Sequence, residues 1–144
     1  MRVLILLLTM YMMLIGVKSF GEVNFSSPES VVSNAIEKLR KKEFQVLLSL
    51  TELAEKKRVE MIIEAYNNSY DKLMIDRSIE YLESFKVVDT YYEGEFAVVT
   101  VDWVVRGYYQ SRDGVKSYNA VRKVLYLLKK FEDKWKIIAK KVRI

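Results

Sequence analysis

The chain has 144 residues, a formal net charge of +5, and no cysteine or histidine. The absence of cysteine excludes disulfides, thiol nucleophiles and zinc–thiolate sites, and the absence of histidine removes the commonest general base and metal ligand. We therefore expect neither a metal nor another cofactor, and the modest charge does not indicate a protein that binds nucleic acid.

The N-terminal segment has the pattern of an export signal. Arg2 precedes an apolar run over residues 3–17, which suits a signal peptide and falls short of the ~20 residues that span a bilayer. Ser19 and Gly21 are the small residues expected before a cleavage site, so we predict a signal peptide over residues 1–21. Cleavage would leave residues 22–144 as a secreted or periplasmic protein without a membrane segment, and the alternative is an uncleaved membrane anchor.

The mature chain, residues 22–144, is expected to form one domain that starts with helices. Ser27 is the predicted N-cap of a first helix, with Pro28 and Glu29 in its first turn. A short second helix is predicted around residues 44–50 and a third over residues 54–70, whereas residues 73–83 fit either a helical turn or the approach to a strand. The predicted buried faces contain Val31, Val32, Ala35, Ile36 and Leu39, then Phe44, Leu47, Leu48 and Leu50, then Met61, Ile62, Ala65 and Tyr66.

From residue 84 onward the apolar residues recur with a period of two, which predicts strands. Turn signals at 93–94, 113–114 and 132–133 divide this half into four antiparallel strands, so the fold class is α+β. Two strands of about 15 residues would span ~50 Å if they were flat. The sheet is therefore predicted to curve around the helices as a cone, and Gly107 is the expected place for a kink or bulge.

The turn positions also predict the register and the two faces of the sheet. A two-residue turn at 113–114 would pair Arg112 with Val115, and a turn at 132–133 would pair Leu128 with Ile137. Trp135 would then close the narrow end of the cone. The predicted inner face contains Val99, Val101, Trp103, Val105, Gly107, Ala120, Arg122, Val124, Tyr126, Leu128, Trp135, Ile137, Ala139 and Lys141.

Three segments of the chain resemble a known superfamily. SPESVVSNAIEKLRKKEF, FAVVTVDWVV and LLKKFEDKWKII are similar to the nuclear transport factor 2-like superfamily, especially its small exported bacterial branch, and the resemblance covers residues 27–144. It implies a curved sheet around helices, frequent dimerisation through the sheet, and a pocket for binding or catalysis. Enzymes of this superfamily, such as ketosteroid isomerases and scytalone dehydratases, use Asp, Tyr or His in the cone, and none of their catalytic motifs matches here.

Several side chains on the predicted inner face are candidates for a ligand pocket. Arg122 among apolar neighbours would need a partner for its charge, either a small anionic ligand shared with Lys141 or a carboxylate of the helices. Trp103, Tyr66 and Tyr126 could line a pocket for an apolar ligand or could be ordinary core. Tyr70, Tyr109 and Tyr118 are further aromatic candidates of the same kind.

Asp89 is the one acid expected to face the cone, provided that the hairpin at Gly94 has a three-residue loop. A desolvated carboxylate there could act as a general base. The sequence favours an exported binding or interaction module that is not an enzyme, and an isomerase- or hydrolyase-like enzyme using this carboxylate is the alternative.

The other face of the predicted sheet is also apolar. Exposing an apolar patch of this kind to water is unfavourable, so the patch predicts an interface, most simply that of a homodimer. The lysines near the C-terminus are expected to form a solvated edge. The residues predicted for this outer face are Val98, Val104, Val121, Leu125, Leu127, Ile138 and Val142.

Overall fold

The computed structural model describes residues 23–143, so the predicted signal peptide lies outside the described residues. The described chain forms four helices followed by four strands. They are α1 (Pro28–Arg40), α2 (Phe44–Ser49), α3 (Leu53–Ala65), α4 (Ser69–Glu80), β1 (Leu82–Glu93), β2 (Phe96–Ser111), β3 (Gly114–Phe131) and β4 (Lys134–Arg143). The strands form one open antiparallel sheet in the order β1-β2-β3-β4, which confirms the predicted α+β class.

The first helix begins as predicted. The Oγ atom of Ser27 accepts the N–H of Ser30, Pro28 occupies the first turn, and Glu29 places its charge near the positive end of the helix. Within the part of the chain that the structure describes, no helix is both long and apolar enough to cross a membrane. The buried residues of α1 are Pro28, Val31, Val32, Ala35 and Ile36.

The predicted third helix ends earlier than expected, and a further helix occupies most of the segment that fitted either a helical turn or the approach to a strand. α3 ends at Ala65, and the Asn68 side chain then accepts the N–H groups of Tyr70 and Asp71, which caps a separate α4. Met61 was expected to be buried but is 69% exposed, because the buried side of α3 runs through Val59 instead.

The inner face of the sheet packs against the helices, and the predicted faces of β2 and β3 are correct. The pairing between these strands is nevertheless offset by two residues, because Ser111 pairs with Gly114 and Val101 with Val124. Gly114, with φ +112°, follows the turn instead of lying at its centre. An offset of two residues keeps every side chain on its predicted face. The buried residues of this face include Val99, Val101, Val124, Tyr126 and Leu128.

Bulges interrupt the alternation in β1 and β4, and the bulge in β4 reverses the predicted faces over the rest of that strand. In β1 the pairing passes from Leu82 to Ser84 and again from Val87 to Asp89, and in β4 it passes from Ile137 to Ala139, so β1 has two extra residues and β4 has one. Of the kink or bulge predicted at Gly107, the bulge is absent, because the pairing is regular there. A Cβ atom at Gly107 would collide with the Tyr118 ring opposite, so this glycine leaves space for that ring.

The extra length of the two central strands extends beyond the helices. β1 pairs with β2 as far as Val105, and β4 pairs with β3 as far as Lys123. Residues 107–122 therefore form a two-stranded ribbon in which most side chains are exposed. The prediction that the whole of both strands wraps around the helices is wrong for this ribbon.

Candidate functional site

A cavity of about 380 Å³ lies between α4 and the inner face of the sheet. Its volume is within the range of small-molecule sites, and its walls are mostly apolar. The apolar side chains come from three helices and two strands: Leu39, Ile62, Met74, Ile75, Ile79, Leu82, Trp103 and Val105. The remaining lining residues are Arg58, Ser78 and Lys140, so two positive charges reach an otherwise apolar space.

Strict alternation along β4 predicted Ala139 on the inner face opposite Tyr126, and Lys140 occupies that position instead. The bulge in β4 sets Lys140 opposite Tyr126, and its Nζ atom lies 4.7 Å from the centroid of the Trp103 ring. Burial, reinforced by the Arg58 guanidinium and opposed by Glu55, lowers the pKa of Lys140 to about 8. Among residues 23–143, no carboxylate lies within ion-pair distance of this amine.

Arg58 is held in place by Glu55, which lies one turn earlier on α3. The Nη2 atom of Arg58 is 2.7 Å from Oε1 of Glu55, and its Nε atom lies 3.2 and 3.1 Å from the two carboxylate oxygens. Glu55 is buried, whereas Arg58 is about half exposed. The start of α3 is tied to β4, because the Glu52 N–H donates to the carbonyl of Ile137 over 2.9 Å. These contacts fix the guanidinium beside the cavity.

Tyr126 and Trp103 form the aromatic side of the site. Their ring centroids are 6.4 Å apart. Burial raises the pKa of Tyr126, so its hydroxyl stays protonated. The Nε1 donor of Trp103 is buried and has no hydrogen-bond partner within the described chain. A void of about 20 Å³ between Tyr126 and Thr51 is large enough for one water molecule.

Asp76 attaches α4, the outer wall of the cavity, to the rest of the domain. The Tyr66 hydroxyl donates to Oδ1 of Asp76 over 2.8 Å, and the Nζ atom of Lys42 lies 2.9 Å from the same oxygen. Hydrogen bonds from Lys42 and then Tyr66 lower the pKa of the Asp76 carboxyl. No residue of α4 is buried, so the helix covers the cavity through a few polar and apolar contacts.

The structure brings only part of the predicted site together. Trp103 lines the cavity and Tyr126 lies directly beside it, as expected for inner-face aromatic residues. Tyr66 instead packs edge-on against Phe44, with ring centroids 5.0 Å apart, and its hydroxyl holds Asp76. Tyr66 therefore positions α4 and does not line the cavity.

The charged residues predicted for the cone lie elsewhere. The β4 bulge places Lys141 opposite Leu125 on the outer face, where it is exposed. Asp89 pairs with Thr100 on the outer face, because the Gly94 hairpin has a two-residue loop and the pairing is regular from there to Asp89. Arg122 shares the inner face but is exposed where the ribbon begins. The predicted mouth of Arg122 and Lys141, and the predicted cone position of Asp89, are both wrong.

The outer face remains partly apolar, with two changes in its membership. Ile138 is only 8% exposed, so the single chain already covers the side chain that was predicted to join an interface. Val142 pairs with Val124 and so belongs to the inner face. Val121 is exposed, and the other predicted outer-face residues that are partly exposed are Val98, Val104, Leu125 and Leu127.

Comparisons with known proteins describe the fold and no more. No family model matches the chain, and no curated protein sequence matches it. A SEC-C motif containing protein from Rhodopseudomonas palustris superposes with a TM-score of 0.51 at 13% identity, over 82% of this chain and 80% of that chain. A member of the nuclear transport factor 2-like family from Streptomyces avermitilis gives a TM-score of 0.45 at 11% identity, over 78% and 90%. A protein of unknown function from Mycobacterium tuberculosis gives 0.48 at 12%, over 80% and 68%.

Proposed function

We propose that this chain is an exported, non-enzymatic binding module of the nuclear transport factor 2-like kind, and that it holds a small apolar molecule with an anionic group in the cavity under α4. The observation that carries the proposal is Lys140, an amine that reaches an apolar cavity without a carboxylate partner in the described chain. Apolar walls would supply affinity through burial, and Lys140 with Arg58 would attract the negative charge. Export is supported by the sequence of residues 1–21 alone.

The arrangement of acidic groups favours binding over catalysis. An isomerase- or hydrolyase-like reaction needs a carboxylate that can accept a proton from the substrate. Asp89 lies on the other face of the sheet, and Glu55 already accepts three hydrogen bonds from Arg58. The polar side chains that do reach the cavity are suited to holding an anion.

The first prediction compares two ligands that differ only in their head group. Octanoate should bind at least about tenfold more tightly than 1-octanol at pH 7, because about 1.4 kcal/mol of charge attraction corresponds to that factor. Fluorescence titration can follow binding through Trp103 once Trp135→Phe has removed the other tryptophan of the chain. Lys140→Met should abolish the preference, whereas Lys141→Met, a matched change on the outer face, should leave it intact.

Repeating the titration at several pH values tests the charge of Lys140. A bound carboxylate favours the protonated amine, so the affinity for octanoate should fall as the pH rises through about 8, the pKa of Lys140. Lys140→Arg should remain charged and keep its affinity at pH 9.5. Equal binding of both ligands to all variants, or binding of neither, would show that the cavity is not an anion-selective site.

We further propose that the outer sheet face joins two copies of the chain. The helices cover the inner face, and Leu125 and Leu127 remain partly exposed on the other side with the exposed Val121 nearby. A two-fold axis through this face would cover these side chains without requiring another protein.

The second prediction follows from this arrangement. Leu125→Lys should yield a folded monomer, because a two-fold interface would bring two buried charges together. Val115→Lys, at the far end of the exposed ribbon, is the control and should remain dimeric. Sedimentation velocity measures both outcomes, and an unmodified protein that is monomeric at high concentration would refute the proposed dimer.

A further inference from the structure

We propose that Lys140 captures small apolar aldehydes covalently, its amine condensing with the carbonyl group of a molecule held under α4. The inference rests on the proposed function because it uses the same cavity. It differs in the ligand, which presents a carbonyl carbon to the amine where the proposed ligand presents a negative charge.

The surroundings of Lys140 are those of an activated amine. A lysine becomes nucleophilic when an apolar pocket removes water from its ammonium group or when another cation lies nearby, and both conditions hold here. The Nζ atom lies over the Trp103 ring in a cavity with mostly apolar walls, and Arg58 lines the same space. The pKa of about 8 agrees with this geometry.

The other ionisable groups around Lys140 leave it free to react. Glu55, on α3, is engaged by Arg58 through three hydrogen bonds. Tyr126, on β3, is buried and keeps its proton. Neither residue makes an ion pair or hydrogen bond with the amine, so condensation would break no contact of this kind between described residues.

The chemical step is balanced without a further reactant. The lone pair of the neutral amine attacks the carbonyl carbon, a proton passes from nitrogen to oxygen, and the resulting carbinolamine loses one water molecule to form an imine. The protonated imine is a cation at the position of the original ammonium group. It can therefore keep the contact with the face of Trp103, and the apolar walls slow its hydrolysis.

The test uses unmodified protein and octanal as the probe. Cyanoborohydride reduces the protonated imine to a stable secondary amine, and peptide mass spectrometry then gives the rate of labelling at each lysine. At pH 7 the fraction of neutral amine at Lys140 should exceed that of an ordinary lysine, with pKa 10.5, by about two orders of magnitude. Because a weaker base is also a weaker nucleophile, we expect labelling at Lys140 at least about tenfold faster than at Lys141.

The pH profile and a competitor complete the design. The ratio of labelling at Lys140 to labelling at Lys141 should be largest below about pH 8 and should shrink as the pH rises towards 10, because only the exposed lysine gains neutral amine over that range. An excess of 1-octanol should slow labelling at Lys140 and leave Lys141 unaffected. Equal rates at the two lysines, or a ratio that does not change with pH, would overturn the proposal.

The outcomes separate this inference from the proposed function. Binding of octanoate without selective labelling would overturn covalent capture and leave the binding module intact. Selective labelling with no preference for octanoate over 1-octanol would support capture and overturn the anionic ligand. Lys140→Arg should lose the fast labelling, whereas Lys141→Arg, on the outer face, should keep it at Lys140, with circular dichroism to confirm that both variants fold.

Discussion

Replacing Trp135 with alanine should lower the free energy of unfolding by about 3–5 kcal/mol, the usual cost of truncating a buried aromatic side chain. Trp135 is 7% exposed and packs edge-on against Tyr92, with ring centroids 6.1 Å apart. Its backbone N–H also donates to the carbonyl of Phe25 over 3.1 Å, so the side chain sits where β4 meets the segment that leads into α1. Truncation would leave a cavity that these neighbours cannot fill without moving.

Urea denaturation followed by circular dichroism measures this loss. Tyr70→Ala is the matched control, because Tyr70 is 70% exposed and its truncation should change the stability by less than about 0.5 kcal/mol. A loss below about 1 kcal/mol for Trp135→Ala would place the indole in solvent and contradict its packing at this end of the sheet.

The features that could be predicted from the sequence depend on neighbours in the chain. The Ser27 cap acts on Ser30 three residues away, and the face of a residue in β2 or β3 follows from strict alternation. The offset of two residues at Gly114 left both faces unchanged. Trp135 could be assigned to the core for the same reason, since no bulge separates it from the turn before β4.

The bulges could not be predicted from the same patterns. Two of the three coincide with two consecutive apolar residues, Val87-Val88 in β1 and Ile137-Ile138 in β4, whereas the extra residue of the third is Glu83. The pair Val98-Val99 in β2 looks the same and pairs regularly. In β4 the bulge lets both members of the pair be buried, at 1% and 8% exposure, whereas in β1 Val88 is 47% exposed, so burial of both members does not explain that bulge.

The unpredicted bulge in β4 and the loop length at Gly94 explain the errors at the candidate site. One extra residue in β4 places Lys140 instead of Lys141 on the inner face, and a two-residue loop at Gly94, in place of the three-residue loop that the prediction required, turns Asp89 outward. The Asn68 cap of α4 follows an ordinary rule and could have been recognised from the sequence. The cavity could not, because its volume depends on how far α4 stands from the sheet.

The ion pair beside the cavity provides the second large expected effect. Arg58→Met should destabilise the domain by about 2–3 kcal/mol, because the buried Glu55 carboxylate would lose three hydrogen bonds and its counter-ion. Lys57→Met, an exposed change on the same helix, is the control and should be nearly neutral.

The double variant Glu55→Leu/Arg58→Met shows whether the destabilisation by Arg58→Met comes from an unpaired buried carboxylate or from lost packing. If the cost of Arg58→Met comes from an unpaired carboxylate, removing that carboxylate as well should restore most of the stability, since an apolar pair can replace a buried ion pair at little cost. If Arg58 mainly contributes packing through its aliphatic stem, the double variant should be at least as unstable as the single one. Denaturation of the four proteins in the cycle gives the coupling energy directly. A coupling near zero would mean that Glu55 and Arg58 act independently, and that the guanidinium beside Lys140 is not fixed by this pair.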